Sequence, residues 1–490
     1  MRVEIVRIGL LFVMVAPLAC QVDERVDPQR SRRDRPEAAA VRQVAMGLGA
    51  ESWIKSINLE FDVVGRSGTG AYSIDNAPWD QLLDLDIGGA GATDLDGVGL
   101  NITSVKLLDG TPGGTPLLYT IASWLDPSIA PVFRRLSIEV PADPAYDEYN
   151  PQTLVVQVTW IFADQSGTPL RGFYDLGTSS YTYTWPYYCG NLFPCTMSPR
   201  FGSLYSMTLR NVPAGQTAIY PEGVVLGDPP SYMLAFAIGA YTTEPLGTTV
   251  PGGTTVNVYY LPGGKDDAIK GTKYLKNAFQ YFENSLGTYR FGPTAGTVQV
   301  AHSAGGMEHH PFWHLSSIYL PSPEMNVHES AHGWYGNGVR IQCQEDFVLS
   351  EGTVSYLTAV ALEAVGDASD PWVSKIWDRY KTRLDNVMSS GVAKIAWPGG
   401  GTTCDQYDVG ANFTDIPYMK GAFFFRALAK RVGTPALISA LSSFYWARVG
   451  TAAGMQDLLD HIKAATLYDP TTCANDWLKS ISVPAYDTCP

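Results

Sequence analysis

Residues 328–332 read His-Glu-Ser-Ala-His, and Glu351 follows His332 after a gap of eighteen residues. The three fixed residues of the first motif arise often by chance, but the added glutamate makes the pattern far more restrictive. Residues four apart share one face of a helix, so both imidazoles can aim at one point. Two histidines and a glutamate are typical ligands of catalytic zinc, because they leave one position of the metal open for water. Glu329 then lies beside the metal, where it can take a proton from that water.

Local signals place these residues on two helices. Ser322 is a candidate N-cap before Pro323, and Gly336 and Asn337 are stop signals, which predicts a helix over 323–336. Glu351 opens a second helical pattern that continues to Val365, with apolar residues on one stripe. Further helical patterns lie near 371–388, 418–431, 434–445 and 454–465.

Strand patterns dominate the N-terminal half. Residues 57–63 alternate between apolar and polar side chains, and residues 154–162 have the composition of a buried strand. Gly-containing turns punctuate the region up to about Tyr241. We therefore predict a β-sandwich-like domain over residues 51–245.

A Pro/Gly/Thr-rich stretch over 242–255 predicts a domain boundary. A strand over 256–261 and a helical stripe over 266–285 follow, and after residue 323 the pattern is almost entirely helical. A small sheet followed by helices predicts an α/β catalytic domain over residues 246–490. The predicted fold class is thus multidomain α+β.

Four segments resemble one known family. Val327–Asn337 resembles the zinc helix of the aminopeptidase N family, a gluzincin metallopeptidase family that includes leukotriene hydrolase. Leu349–Gly352 resembles its second zinc segment, Gly305–His309 its Gly-x-Met-Glu-Asn substrate-binding motif, and Pro417–Gly421 the segment of its catalytic tyrosine. Weaker similarity lies at 193–195 and 231–239. The resemblance implies a thermolysin-like catalytic domain after the β domain, and it leads us to expect that the family's large C-terminal helical domain is absent.

The resemblance also implies roles for individual residues. His328, His332 and Glu351 would hold one Zn²⁺ per chain, with Glu329 and Tyr418 as catalytic residues. The substrate-binding residues would be Gly305, Gly306, Met307, Glu308 and His309. His309 stands where the family has asparagine, a departure that bears on the mode of cleavage and not on the zinc chemistry. Trp334, Asn337, His314 and His461 receive no role.

Glu308 and Tyr418 each suit a definite step. An edge strand ending at Glu308 can bind a peptide through its backbone, and the carboxylate can pair with the peptide's free α-amine. Tyr418 can donate a hydrogen bond to the developing oxyanion. These features favour a zinc aminopeptidase acting on peptides or proteins. The alternatives are a zinc endopeptidase of the same fold and a catalytically silent peptide-binding protein.

Composition limits the classes of partner that the protein can bind and indicates the cellular compartment in which it works. The chain has 490 residues, a formal charge of −14 and only 17% charged residues, with no basic stripe in its main body, so nucleic acid is excluded as a partner. The abundance of Gly (48), Pro (33) and Tyr (27) is typical of a β-rich extracytoplasmic protein.

The N-terminus predicts export and anchoring. Arg2 and Arg7 precede an apolar run over 8–19 that is too short to span a bilayer as a mature helix. The run is followed by Cys20, which suggests a bacterial lipoprotein signal over 1–20, although Pro17 stands where leucine is usual. Residues 21–50 lack apolar periodicity and predict a disordered tether. We expect a cell-envelope protein attached to the membrane through lipidated Cys20, with simple secretion as the alternative.

The six remaining cysteines form an even set in a chain expected to be exported, which favours disulfides. None has the spacing of a second zinc site. Of the fifteen possible pairings we favour Cys189–Cys195, Cys343–Cys404 and Cys473–Cys489.

Overall fold

The structure, a computed structural model, describes residues 54–75, 81–88, 99–125, 132–141, 153–166, 171–184, 188–301, 305–392, 394–398 and 414–489. The predicted signal over 1–20 and tether over 21–50 lie outside the described residues. In the part that is described, strands dominate up to residue 260 and helices follow after residue 320. The mixed α+β class predicted from the sequence is confirmed.

The N-terminal half contains three sheets. The largest has seven strands, in the order Gly223–Val225, Leu204–Arg210, Ile54–Asp62, Ser67–Asp75, Thr153–Ile161, Asn101–Leu107 and Thr115–Pro116. The second has four, in the order Thr217–Ile219, Ala237–Gly239, Ser179–Thr184 and Arg171–Asp175. The third has three, in the order Gln81–Gly88, Val132–Val140 and Tyr119–Leu125.

Both strands predicted in this half are present, because alternating residues give each a buried face. Ile57, Leu59 and Phe61 of the first strand are buried, and so are Val156 and Val158 of its counterpart. The predicted domain boundary at residue 245 stays a prediction. The strand Thr242–Thr248 runs across it and pairs with the strand Thr255–Tyr260.

A five-stranded sheet carries the site. Its order is Thr242–Thr248, Thr255–Tyr260, Thr294–Val300, Phe312–Ser316 and Gly306–Met307. The last of these is an edge strand, and Glu308 follows it directly. A small three-stranded sheet joins Tyr335–Gly336 and Val339–Ile341 to Ala452–Ala453, which lies more than 100 residues later in the chain.

Ten α-helices are described. They are α1 Lys265–Thr272, α2 Leu275–Ser285, α3 Pro323–Ala331, α4 Phe347–Val365, α5 Pro371–Ser374, α6 Ile376–Ser389, α7 Asp415–Val432, α8 Thr434–Arg448, α9 Met455–Thr466 and α10 Thr471–Ala474.

In the two helices that carry the predicted metal ligands, one boundary each was wrong. α3 ends at Ala331 and not at Gly336, because the chain turns after His332 and Tyr335–Gly336 form a strand. α4 begins at Phe347 and not at Glu351, because Phe347, Val348 and Leu349 are already buried against the core. The N-cap of α3 was right, since the Ser322 hydroxyl accepts a hydrogen bond from the Met325 amide at 3.2 Å.

The segment Gln344–Val365 is long and apolar enough to pass as a membrane span, but 78% of its apolar window is buried inside the fold. Burial of this kind is typical of a core helix.

Two of the three predicted disulfides, Cys189–Cys195 and Cys473–Cys489, are confirmed. Cys404, the predicted partner of Cys343, lies outside the described residues.

Candidate metal centre and substrate cavity

α3 and α4 bring three predicted ligand atoms together. The Nε2 atom of His328 lies 3.1 Å from Oε2 of Glu351 and 3.3 Å from Nε2 of His332, and the third side of the triangle measures 3.4 Å. Tetrahedral zinc with ligands at about 2.0–2.1 Å separates its donor atoms by about 3.3–3.4 Å. The three side chains therefore fit one zinc ion without rearrangement.

Neighbouring groups fix which nitrogen of His332 can bind a metal. Its Nδ1 donates to the Tyr335 carbonyl at 3.1 Å, and the Ser350 hydroxyl lies 3.3 Å from the same nitrogen. A proton held on Nδ1 leaves the lone pair of Nε2 free to bind a metal. The turn that ends α3 early thus also orients the second histidine.

The electrostatics of the cluster suit a cation. Burial alone would lower the pKa of His332, but the carboxylates of Glu351, Glu308 and Glu329 raise it to about 10. The raised pKa means that the carboxylates around the imidazole stabilise a positive charge at this position. A divalent ion can replace the proton in that role.

Glu329 lies where a base for the attacking water is needed. Glu308, Glu329 and His332 offer ligand atoms that all lie within 4.8 Å of one another. The Glu329 carboxylate fills the space beside Gly306, since a Cβ added there would meet its Oε1 at 2.1 Å. Burial raises the pKa of Glu329 well above its ordinary value. The glycine of the edge strand is therefore needed for close approach to this carboxylate.

A cavity of about 830 Å³ opens onto these groups. Nine of the ten predicted site residues line it: Gly305, Gly306, Met307, Glu308, His328, Glu329, His332, Glu351 and Tyr418. Tyr183, Lys270, Ile318, Tyr319, Trp372, Arg383 and Asp415 are among its other walls.

His309 is the tenth predicted residue, and it is not among the described residues that line this cavity. Its ring is buried between Tyr183 and His314, and its Nε2 accepts the Thr184 amide at 3.4 Å. The side chain therefore joins the edge strand to the neighbouring sheet of the N-terminal half. A contact between His309 and substrate stays a prediction.

Glu308 is held by its backbone and not by a cation. The Asn337 amide donates to the Glu308 carbonyl at 2.7 Å, and the Tyr232 hydroxyl donates to the Asn337 side chain at 3.1 Å. The carboxylate is buried, with 7% of the residue exposed, and burial raises its pKa. None of the ion pairs recorded among the described residues uses it with a lysine or arginine. The cationic group that acts on it in this cluster is His332, whose charge works against the rise in the Glu308 pKa.

Tyr418 stacks beside the first histidine ligand. Its ring centroid lies 5.9 Å from that of His328, at an interplanar angle of 25°. Burial and the surrounding carboxylates raise the pKa of its hydroxyl well above the ordinary value. Tyr418 therefore stays a neutral hydrogen-bond donor at physiological pH.

Two glycines let α4 and α7 cross closely at the site. Gly352 follows the ligand Glu351, and Gly421 lies one turn beyond Tyr418. A Cβ added to Gly421 would lie 2.4 Å from the Gly352 Cα, and the reverse addition gives 2.7 Å. The glycines that end both motifs thus set the distance between a metal ligand and the tyrosine.

His310 is a supporting residue that was not predicted from the sequence. Its Nε2 lies 2.9 Å from the Glu329 carbonyl, and its Nδ1 lies 2.7 Å from the Tyr289 hydroxyl. The contact satisfies a carbonyl near the C-terminal end of α3, where helices leave carbonyls without partners. No motif spacing predicts this contact. The one signal in the sequence is that His310 directly follows the edge-strand motif over 305–309.

The four residues left without a role have structural partners. The Trp334 indole donates to the Gly287 carbonyl, and Asn337 supports Glu308 as described. His314 contacts the Thr182 carbonyl through Nδ1 at 2.9 Å. His461 pairs with the Ser443 hydroxyl on the C-terminal helices, as a structural residue would.

Comparison with known proteins places the second half of the chain near one peptidase family. Residues 276–477 match the peptidase family M1 domain. The chain is 24% identical over 273 residues to mitochondrial aminopeptidase 2 of Saccharomyces cerevisiae, which covers 52% of this chain and 27% of the yeast protein. It is 25% identical over 329 residues to aminopeptidase N of Lactobacillus helveticus, which covers 60% and 37%. The chain thus spans about a quarter to two fifths of the length of these relatives.

Two solved structures share the fold. The M1 zinc metallopeptidase of Deinococcus radiodurans superposes with a TM-score of 0.66 at 16% identity, over 89% of this chain and 95% of that one. Native yeast LTA4 hydrolase gives a TM-score of 0.68 at 17% identity, over 88% and 68%. The M1 domain match includes His328, His332, Glu351 and Tyr418, and together with the similarity to curated aminopeptidases it supports the M1 aminopeptidase N family of gluzincins for this chain.

Proposed function

We propose that the protein is a zinc aminopeptidase that removes the first residue of peptides. The observation that carries the proposal is the buried carboxylate of Glu308, which lines the cavity beside the predicted metal ligands and pairs with no lysine or arginine of the described residues. A buried carboxylate needs a cation, and a substrate's α-ammonium supplies one.

The short reach from Glu308 to the metal site favours cleavage of the first bond. The α-amine and carbonyl carbon of one residue lie only about 2.5 Å apart. An ammonium held at Glu308 therefore brings only the first carbonyl to the metal site, since Glu308 and His332 have atoms within 4.8 Å of each other.

The protein's own groups then share the chemistry. A zinc ion bound by His328, His332 and Glu351 would act as a Lewis acid toward the scissile carbonyl and water. Glu329 accepts the proton of the attacking water and returns it to the leaving amine. Tyr418 donates a hydrogen bond to the oxyanion, and Glu308 holds the amine in register.

The second candidate is a zinc endopeptidase of the same fold. It is favoured by the volume of the cavity, about 830 Å³, which is more than one residue requires. The discriminating experiment is hydrolysis of one peptide in free and N-acetylated forms by the zinc-loaded protein. Cleavage of the free form alone supports the aminopeptidase, and equal cleavage of both supports the endopeptidase. Cleavage of neither favours a peptide-binding protein.

We also propose that the protein is exported and anchored to the bacterial cell envelope through lipid on Cys20. The support is the sequence of residues 1–20, a short apolar run that ends in a cysteine. Fractionation of cells tests it, as described in the Discussion.

A further inference from the structure

An ion-pair network joins three helices at the wall of the cavity. Arg383 of α6 donates through Nη1 to Oε1 of Glu324 at 3.3 Å, and through Nε to Oδ1 of Asp415 at 3.1 Å. Its Nη2 also contacts Asp415. The planar fork of an arginine can hold two carboxylates at once in a fixed geometry.

Both carboxylates lie one helical turn from a residue of the site. Glu324 is in the first turn of α3, four residues before the ligand His328. Asp415 is the first residue of α7, three residues before Tyr418. Residues three and four apart share a helix face, so Arg383 connects the faces that carry the ligand and the tyrosine.

The neighbouring arginine does not make this connection. Arg379 donates to Oε2 of Glu324 at 3.0 Å, and its remaining recorded bonds go to the carbonyls of Pro371 and Trp372. It steadies α3 against α5 and does not reach Asp415. The close crossing at Gly352 and Gly421 fixes α7 one turn beyond Tyr418, on the other side from Asp415.

We propose that Arg383 is a positioning residue: by tying the first turns of α3 and α7 together, it sets the Tyr418 hydroxyl at the distance from the metal site that oxyanion stabilisation requires. The inference rests on the proposed function, because it gives Tyr418 its role in turnover. Arg383 itself acts only through Tyr418, and this predicts a specific dependence between the two residues.

The test is a double-mutant cycle between Arg383→Gln and Tyr418→Phe, measured on a fluorogenic free-amine substrate with zinc content checked. In the otherwise wild-type protein, Arg383→Gln should lower kcat by about 10–100-fold, the scale expected for a misplaced catalytic group, with zinc content unchanged and KM changed less than kcat. In the Tyr418→Phe background the same change should have almost no further effect, because no hydroxyl is left to position.

Two further variants make the cycle robust. Asp415→Asn removes the same contact from the other helix and should behave as Arg383→Gln does, so it replaces that variant if Arg383→Gln does not fold. Arg426→Gln is the matched control. Arg426 lies on the same helix α7, further along the chain than Tyr418, and the substitution breaks its 2.9 Å ion pair with Asp487. It should leave kcat within about twofold of wild type, as a partly exposed pair away from the site would. A loss of kcat by the same factor in both backgrounds, or no loss in either, overturns the proposal.

A second readout is independent of activity. Hydrogen exchange of a peptide covering residues 414–421 should be faster in Arg383→Gln than in Arg426→Gln, because only the former releases the first turn of α7. Equal exchange in the two variants contradicts the proposal that Arg383 holds the first turn of α7 in place. If the zinc-loaded wild type cleaves no peptide, the proposed function fails, and the exchange rates alone decide whether Arg383 fixes this turn.

Discussion

At the scale of single residues, neighbouring side chains of α3 are predicted to have different tasks. Glu329 directly follows the predicted ligand His328, and its carboxylate lies within 4.8 Å of a ligand atom of His332 without belonging to the predicted set of His328, His332 and Glu351. Burial keeps its pKa high, which suits a group that must accept a proton from water and then release it.

Glu329→Gln should therefore retain zinc and lose activity. The amide keeps the size of the side chain and removes the base, so a loss of about 10²–10⁴-fold in kcat is expected. Metal analysis and steady-state kinetics check this outcome. Glu363→Gln, near the end of α4, is the matched control and should act as wild type. Full zinc content with near-normal turnover in Glu329→Gln would rule out Glu329 as the base.

Glu308→Gln tests the mode of cleavage. The amide cannot pair with an ammonium, so turnover of free-amine peptides should fall while zinc content stays unchanged, since Glu308 is not among the three ligands. Discrimination against N-acetylated peptides should relax, because an uncharged amide no longer disfavours an uncharged acetyl group. The measurement is the ratio of kcat/KM for the free and acetylated forms. An unchanged ratio removes the main support for the aminopeptidase and favours the endopeptidase.

At the scale of elements, the crossing of α4 and α7 couples the metal ligand to the tyrosine. Glycine in a helix usually costs about 1 kcal/mol relative to alanine, so propensity alone predicts that Gly421→Ala is stabilising. The added Cβ would lie 2.4 Å from the Gly352 Cα, and backbone cannot move aside as a flexible side chain can. The steric clash therefore outweighs the gain in helix propensity, and the substitution is expected to be destabilising.

We expect Gly421→Ala to lower the free energy of unfolding by about 1–3 kcal/mol, the usual range for overpacking. It should also weaken zinc binding and turnover, because both Glu351 and Tyr418 move with their helices. Gly391→Ala is the control, since its added Cβ would meet no atom within 4 Å. Denaturant unfolding and zinc content check the pair. Stability equal to wild type in Gly421→Ala would show that the helices separate at no cost.

At the scale of the whole molecule, the proposed lipid anchor at Cys20 can be tested by substitution. Cys20→Ser should move the protein from the membrane fraction to the soluble one, or leave its signal uncleaved. Multiple acyl chains anchor a protein stably, whereas one chain alone anchors it weakly. Fractionation followed by detection of the protein checks this. Wild-type protein found wholly in the soluble fraction would contradict lipidation and support plain secretion.

Much of the site was predictable because its chemistry is local in sequence. The spacing within His-Glu-Ser-Ala-His fixes two ligands and a base on one helix, and the strand before Glu308 follows from its own motif. Helix ends were less predictable. Tertiary contacts end α3 at Ala331 and start α4 at Phe347, where the sequence signals alone placed the ends elsewhere.

The sequence by itself determined the α+β class, and it predicted the ligand set and the base from motif spacing and ligand chemistry, which are properties of short segments. It predicted the tyrosine only through the resemblance of 417–421 to a known family. The tertiary structure alone decided what holds them. His310 reaches the Glu329 carbonyl across 19 residues, and Arg383 reaches Asp415 across 32 residues and Glu324 across 59. No local pattern records such contacts, because a side chain's partner across a packed core depends on how the elements pack and not on the residues beside it.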